Sequence, residues 1–310
     1  MKEAREKQVW EKKGLIFEPQ KDLWWMRTFA MVPVSDHIEK DIFRIYFSGR
    51  DDLNRSQIGF VDVNISEGVI SVLGYAKEPV LTTGEMGTFD DNGVTPSWMV
   101  TAGSKKYLYY IGWNAGSTTR MSLIAGLALS KDGGKTFTRN SRGPLLERTD
   151  REPFSILTAP CVLYTNGQWQ MWYVSGEGWI NRDLPKYNIK YAESVDGIHW
   201  ERTGHIAIEL KENETALARP CVLKENDLYK MWFSYKEPEI GYRIGYAESI
   251  DGKNWTRFDS ESGMDPSESG WDFEMIEYSY VFTHSGITYM LYNGNKYGID
   301  GVGYAVCKSR

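Results

Sequence analysis

The segments YAESVDGIHWER (191–202) and YAESIDGKNWTR (246–257) are nearly identical, and SKDGGKTF (130–137) is a weaker copy of their central part. Duplication of this kind is typical of a structural unit that stacks on copies of itself. Each copy has Ser-x-Asp-Gly before an aromatic residue. Glycine tolerates positive φ and aspartate caps its own turn, so the motif predicts a tight hairpin turn with a structural role.

Working outward from this turn, two further β-rich segments precede each repeat unit. The segments just before the YAES-type strand are aromatic: FRIYFSG (43–49), YLYYIGW (107–113), QWQMWYVSG (168–176), LYKMWFSY (228–235) and ITYMLYNG (287–294). Those before them are RTFAMVPV (27–34), VTPSWMV (94–100), TAPCVLY (158–164), ARPCVL (218–223) and EYSYVF (277–282). Helical periodicity is missing, and regular four-stranded units predict propeller blades.

The last unit lacks a fourth strand, because the chain stops after YAVCKSR (304–310). The N-terminal segment VWEKKGLIFEP (9–19) is similar to HWERTGHIAIEL (199–210) and could supply that strand. We therefore predict an all-β protein: a single five-bladed β-propeller domain of four-stranded antiparallel blades over residues 1–310. The N-terminal strand is predicted to complete blade five and close the ring, which would leave no free edge.

Composition limits the possible partners. The net charge is −6, the isoelectric point is near 5.4 and no basic run exceeds a few residues, so nucleic acid and anionic membrane are poor candidates. No segment is apolar and long enough to span a bilayer, and the N-terminus has no recognisable signal peptide. Cys161 and Cys221 occupy equivalent positions in apolar strands, which favours buried free thiols in the cytoplasm over the alternative of a disulfide between them.

In a propeller the first strand of each blade lines the central channel, and the loops entering it share one face with the loops joining strands two and three. The longer loops of this chain all fall on that face, which predicts the binding pocket there. These loops and strand starts carry the polar and aromatic candidates Arg27, Trp25, Asp91, Trp113, Glu152, Glu177, Glu214, Arg219, Tyr235, Glu277 and Tyr278.

The five units, the N-terminal closing strand, the x-Pro-x-Val first strands and the YAxSxDGxxW repeats resemble the five-bladed glycoside hydrolase superfamily. That superfamily includes the arabinanase/xylosidase, invertase/levansucrase and mannoside-phosphorylase families. The resemblance implies an axial sugar pocket. It also implies carboxylates at the starts of first strands that act as base or nucleophile, transition-state stabiliser and general acid.

The chain departs from this pattern at the decisive positions. Thr158-Ala159-Pro160 stands where invertase-like members have Arg-Asp-Pro, and Ala218-Arg219-Pro220 stands where arabinanase-like members have Glu-Gly-Pro. The nearest equivalent in blade one is taken to be WWMRTF (24–29), which has no acid. The usual triad therefore cannot be transferred. A phosphate-binding cluster of the phosphorylase type could use Arg27 and Arg219, but few other residues of this chain could contribute to it.

Two functions follow from these residues. The first is a glycoside hydrolase-like enzyme that cleaves or transfers a glycosidic bond of a small or activated sugar. An anionic sugar is one option for this substrate. Its catalytic candidates are Asp91, Glu152, Glu214 and Glu277, since glycoside hydrolysis needs one protonated and one ionised carboxyl group. The substrate-binding candidates are Arg27, Trp25, Trp113, Glu177, Arg219, Tyr235 and Tyr278. The alternative is a sugar-binding or scaffold propeller that has lost catalysis.

The expected ligand is a small carbohydrate, a sugar phosphate or a nucleotide sugar. A cytoplasmic location favours imported oligosaccharides or intermediates of polysaccharide biosynthesis. No cofactor is expected. No dedicated metal site is expected either, because no loop has the alternating ligand spacing of a calcium site. A calcium ion on the propeller axis is left as an alternative. The oligomeric state is not predicted.

Overall fold

The structure is a computed structural model that describes residues 8–308. Its regular elements are almost entirely β-strands, as the repeat predicts. In chain order the strands are β1 (Glu11–Phe17), β2 (Thr28–Glu39), β3 (Ile42–Arg50), β4 (Ser56–Ser66), β5 (Val69–Tyr75), β6 (Gly93–Ala102), β7 (Lys105–Ala115), β8 (Met121–Ser130), β9 (Thr138–Arg139), β10 (Ile156–Thr165), β11 (Gln168–Asn181), β12 (Leu184–Ser194), β13 (Ile206–Ile208), β14 (Ala216–Glu225), β15 (Leu228–Lys236), β16 (Arg243–Ser249), β17 (Thr256–Arg257), β18 (Glu277–His284), β19 (Ile287–Asn293) and β20 (Val302–Lys308). A 3₁₀ turn (Asp259–Glu261) and a short helical turn (Asn295–Gly298) complete the set.

The strands pair in five antiparallel groups of four. Groups 1 to 4 are β2–β5, β6–β9, β10–β13 and β14–β17, each a meander of consecutive strands. Group 5 is β18–β20 with β1 added beside β20. The N-terminal segment thus pairs with the last strand at the place the sequence predicts.

Short parallel contacts join the first four groups into one sheet. The partners are Ser56 and Gly93, Leu123 and Ile156, and Tyr187 and Ala216, so each contact joins the third strand of one group to the first strand of the next. Group 5 forms a separate sheet, and the ladders do not run round a closed circle.

Group 5 nevertheless contacts both of its neighbours. The Tyr278 backbone N–H donates to Ser234 Oγ of group 4 at 2.9 Å, and the Val32 N–H of group 1 donates to Asn293 Oδ1 at 2.7 Å. Asn293 Nδ2 also donates to the Ala30 carbonyl at 2.9 Å. These bonds link the two ends of the joined sheet through group 5.

The Ser-x-Asp-Gly motif forms the predicted structural turn. Gly133, Gly197 and Gly252 have φ of 77°, 75° and 73°. In the last copy, Asp251 Oδ1 accepts the N–H groups of Lys253 and Asn254 at 2.8 Å each. The bond from the Asn254 N–H is the largest cause that holds the pKa of Asp251 below its ordinary value. The Asp251 carboxylate therefore serves to stabilise the turn.

Candidate functional site

Each first strand is interrupted by a β-bulge at the same depth. The register shifts after Met31 in β2, Pro96 in β6, Thr158 in β10, Ala218 in β14 and Glu277 in β18. A bulge bends the strand and redirects a side chain. The five bulges therefore mark one set of equivalent positions along the first strands.

The residues at these bulges have left-handed backbone. Val32, Ala159, Arg219 and Tyr278 have φ of 55°, 48°, 52° and 57°, and the equivalent residue of β6 is Pro96, whose ring forbids positive φ. Left-handed backbone is costly for residues other than glycine, above all for a β-branched one such as Val32, and such strain concentrates at functional sites. The match also corrects the expectation for the first unit, because Met31-Val32-Pro33, and not WWMRTF, is the counterpart of Thr158-Ala159-Pro160.

A cavity of about 410 Å³ opens at the bulges. All four left-handed residues line it, together with side chains from the loops that join second and third strands. This is the face on which the sequence predicts the pocket, and its size falls in the range of small-ligand sites. One wall is apolar, formed by Ile111, Ile156 and Val174 with Trp113 packed against them.

Arg219 lines the cavity and is 1% exposed. Its Nη2 donates to the Pro33 carbonyl at 2.7 Å, whereas Nε and Nη1 have no hydrogen-bond partner in the part of the chain that the structure describes. The Tyr280 ring lies 5.7 Å from the guanidinium carbon. Burial lowers the pKa of Arg219, which records the cost of keeping this charge out of water.

Glu277 begins β18 and is completely buried. Within residues 8–308 neither of its carboxyl oxygens has a partner at hydrogen-bond geometry, although the Tyr278 side chain is close enough to act on its pKa. Burial raises the pKa of Glu277 well above its ordinary value, while Lys236 and Tyr278 act in the opposite direction with smaller effect. Both of these neighbours line the cavity, so Glu277 lies directly behind its wall. A carboxyl group in such surroundings keeps its proton near neutral pH.

Tyrosine hydroxyls and cations supply the other polar groups of the cavity. Tyr187 and Tyr242 share a 2.5 Å hydrogen bond between their hydroxyl oxygens, and burial raises the pKa of Tyr187 to about 12, so these hydroxyls remain protonated donors. Four cationic residues line the cavity, against a single acidic one, Asp183 at the exposed rim; the four are Arg50, Arg120, Arg219 and Lys236.

Glu152 and Glu214 do not line the cavity, because both are held in ion pairs inside their groups. Glu152 accepts from Arg202 at 2.7 Å and from the Tyr173 hydroxyl at 2.8 Å. Glu214 forms a bidentate pair with Arg257 at 2.6 and 2.8 Å.

The same acid–cation arrangement recurs in groups 2 and 5. Asp90 bonds Tyr110 and Arg139 at 2.9 and 2.8 Å, and Asp272 bonds Tyr292 and Lys12 at 3.0 and 2.7 Å. A contact that repeats in four groups, each time tying the loop before a first strand to the fourth strand or to the segment just before it, is structural. The expectation that Glu152 and Glu214 share the pocket is therefore corrected.

The remaining predicted residues also lie outside the cavity lining. Asp91 accepts from Asn114 Nδ2 at 2.8 Å, just behind the rim. Arg27 donates to the Lys21 carbonyl at the surface, and Trp25 is a core residue stacked on Phe47. Glu177 pairs with Lys190 at 3.3 Å. Tyr235 packs near the Arg257 guanidinium, 5.8 Å from its ring centroid.

Of the predicted site residues, the cavity brings together Trp113, Arg219 and Tyr278, with Glu277 behind its wall. Sequence reasoning missed Arg50, Arg120, Asp183, Lys236 and the tyrosines 187, 242 and 297. All but Tyr187 lie in or directly beside the loops that join second and third strands. A search of those loops for cations without a nearby acid in sequence finds Arg120, but not Arg50 or Lys236, which are followed by Asp51 and Glu237.

Cys161 and Cys221 are buried free thiols. Within residues 8–308 no cluster of three or more His, Cys, Asp or Glu side chains could hold a metal ion. None of the helical segments described is long and apolar enough to cross a membrane.

Comparison with known proteins places the chain among relatives. No protein-family model matches it. It is 42% identical over 303 residues to the Mycobacterium tuberculosis protein named "Uncharacterized protein MT1551", covering 97% of this chain and 100% of that one. A solved glycoside hydrolase superposes with a TM-score of 0.74 at 21% identity, covering 98% of this chain and 93% of that chain.

A second solved structure comes from work on the GH130 family of mannoside phosphorylases, which contains glycoside hydrolases that target β-1,2 mannosidic linkages in Candida mannan. Its TM-score is 0.73 at 14% identity, covering 97% of this chain and 94% of that chain. The chain thus belongs to the same family as the mycobacterial protein, and its fold is that of the propeller glycoside hydrolases.

Proposed function

We propose that this protein is a carbohydrate-active enzyme that cleaves or transfers a glycosidic bond in the cavity, with Glu277 as its proton source. The observation that carries the proposal is the state of Glu277: fully buried, without a hydrogen-bond partner, and placed where other groups have Met31, Thr158 or Ala218. A general acid must hold its proton near neutral pH, and burial supplies this condition.

The proposed chemistry uses groups around Glu277. Tyr278 lines the cavity and its side chain acts on the pKa of Glu277. In the proposed step the Tyr278 hydroxyl turns to hydrogen-bond the Glu277 carboxyl group, takes up its proton and gives its own to the glycosidic oxygen, as the bond from that oxygen to the anomeric carbon breaks. A water or an acceptor hydroxyl attacks the anomeric carbon and gives its proton to Asp183, the acidic residue of the cavity rim. This arrangement provides the two carboxyl groups of contrasting environment that glycoside cleavage requires.

We also propose that the strand groups form a five-bladed propeller. The five groups are the blades of one domain spanning residues 1–310, with β1 closing the ring in the fifth. We further propose a cytoplasmic site of action, supported by the buried free thiols of Cys161 and Cys221.

The test is turnover by Glu277→Gln. Proton NMR of anomeric signals would follow the protein with pooled oligosaccharides, sugar phosphates and nucleotide sugars. We expect the wild type to produce new anomeric signals and Glu277→Gln to lose about 10²–10⁴-fold in rate, the usual contribution of a general acid. Glu277→Asp should recover part of that loss with a displaced pH profile, which a purely structural role would not produce.

The matched control is Glu225→Gln, at an exposed hairpin where the carboxylate pairs only with Lys230, and it should keep wild-type rates. Unchanged turnover in Glu277→Gln would overturn the assignment of the proton source.

A sugar-binding propeller without catalysis is the second candidate. It is favoured by the engagement of Glu152 and Glu214 in structural ion pairs, which leaves few carboxylates for chemistry. Ligand binding without new anomeric signals in the same experiment would establish this alternative.

A further inference from the structure

We propose that the cavity selects a sugar that carries its own oxyanion, a carboxylate or a phosphate group, and that Arg219 binds this group. The inference rests on the proposed function of the cavity as a sugar site and names the class of sugar.

The cavity cations lack internal counterions. None of Arg50, Arg120, Arg219 and Lys236 lies within salt-bridge distance of a carboxylate in residues 8–308. Elsewhere the buried cations are paired, as Arg202 and Arg257 show. Four unpaired positive charges around one cavity create a field that favours an anionic ligand.

Arg219 is the most buried of these four cations, although it lines the cavity. A buried guanidinium ordinarily has a carboxylate or a full set of hydrogen bonds, because desolvating an unpaired charge is expensive. Arg219 has one bond, to the Pro33 carbonyl, and leaves Nε and Nη1 free. The left-handed backbone of Arg219 is a second cost at the same residue. An oxyanion bound to the free nitrogens would satisfy both the charge and the donors.

The two carboxyl groups in and behind the cavity wall offer little opposition to an anion. Burial raises the pKa of Glu277 well above its ordinary value, which favours the neutral carboxyl group, and Asp183 lies at the exposed rim. Another free polar atom, Thr158 Oγ1, is buried in the cavity wall without a partner. Arg219 and Thr158 therefore offer hydrogen-bond donors and a positive charge to a ligand in the cavity.

The rest of the cavity fits a sugar better than a free ion. A volume of about 410 Å³ is far larger than a lone phosphate needs. Trp113 offers a ring on which the C–H face of a sugar can stack, and the hydroxyls of Tyr187 and Tyr242 can bond sugar hydroxyls. A sugar that carries a charged group could place that group at Arg219 and its ring against Trp113 and the tyrosine hydroxyls.

Calorimetric titration at low and high salt tests the inference. The probes are neutral methyl hexosides, hexuronic acids, hexose 1-phosphates and inorganic phosphate, with gluco, galacto and manno forms of each sugar. We expect at least one anionic sugar to bind ten-fold or more tightly than its neutral counterpart, and salt to weaken that binding. Tight binding of a hexuronic acid would identify a carboxylate ligand, and tight binding of a hexose 1-phosphate would identify a phosphate ligand.

Variants then assign the contact. Arg219→Met should abolish the preference for the anionic sugar, and Arg219→Lys should keep only part of it, because the fork of donors is lost. The control Arg142→Met removes an exposed arginine that pairs with Glu85 and should bind like the wild type. Retention of the preference in a folded Arg219→Met protein would overturn the assignment.

Other outcomes separate this inference from the proposed function. Neutral sugars binding as tightly as anionic ones, inorganic phosphate binding as tightly as the sugar phosphate, or no anionic probe binding would each overturn the inference. Turnover of neutral sugars would then leave the proposed enzyme intact. Anionic sugars that bind through Arg219 without any turnover would uphold the inference and refute the enzyme.

Discussion

Replacing Glu277 by glutamine should make the protein more stable, by an amount that grows with pH. The fully buried carboxyl group has a pKa raised well above its ordinary value by burial. In the unfolded chain a glutamate releases its proton near pH 4.3, whereas the folded protein retains it to higher pH. Above that point the unfolded state is favoured by ionisation, so the free energy of unfolding of the wild type falls as pH rises, until the folded-state pKa is passed.

The size of this pH dependence follows from the single proton that the folded state retains and the unfolded state releases. The wild type should lose about 1.4 kcal/mol relative to Glu277→Gln for each pH unit in this window, since one pKa unit corresponds to 1.36 kcal/mol. Urea unfolding followed by tryptophan fluorescence at pH 5 and pH 6 measures the difference directly. Glutamine keeps the shape of the side chain and has no charge to desolvate, so the variant lacks this slope.

The control is Glu152→Gln, in a buried carboxylate that is paired with Arg202. Breaking this pair should destabilise the protein by about 3–5 kcal/mol, the opposite direction to Glu277→Gln. A wild-type minus Glu277→Gln difference that stays constant from pH 5 to pH 6 would refute the argument. So would a variant less stable than the wild type at pH 7, because the carboxylate would then be ionised and stabilising.

Three further changes are predicted. Asp90→Asn should cost about 3–5 kcal/mol in urea unfolding, because it leaves the partner arginine without its carboxylate, whereas the adjacent Asp91→Asn should cost about 1 kcal/mol. Arg219→Met should raise the stability of the ligand-free protein by about 1–3 kcal/mol, visible as a higher melting temperature, and a lower one would contradict the cost assigned to the buried charge. Lys296→Gly should stabilise by about 1 kcal/mol because it relieves a left-handed residue at φ 53°, while Lys105→Gly, in a strand, should destabilise.

The strand order could be predicted because it repeats. The aromatic second strands, the Asp-Gly turns and the pairing of the N-terminal segment with β20 follow from comparing one unit with the next. The bulges could not be found that way, because the left-handed residue is Val32 in one strand and Tyr278 in another. Only the register between strands shows that these residues are equivalent.

The site was partly predictable for the same reason. Arg219, Tyr278 and Glu277 were candidates because they stand at the starts of first strands, where the backbone fixes their direction. Glu152 lies outside the cavity because it pairs with Arg202, which is distant in sequence, although an aromatic-x-Arg or aromatic-x-Lys pattern recurs in or just before the fourth strands. Lys236 and other loop residues were missed, since the course of a loop depends on contacts that periodicity does not encode.

The pairing of β1 with β20 also has a consequence for biosynthesis. Phe17 at the end of β1 pairs with Val302, so the first strand made must wait for the last one. At roughly 5–20 residues per second, a ribosome needs about 15–60 s to make the chain between them. During that interval residues 11–17 have no partner strand, and an unpaired strand of this kind readily joins another chain. A molecular chaperone that covers residues 11–17 during synthesis should therefore raise the yield of native protein, and moving β1 behind β20 by circular permutation should remove that dependence.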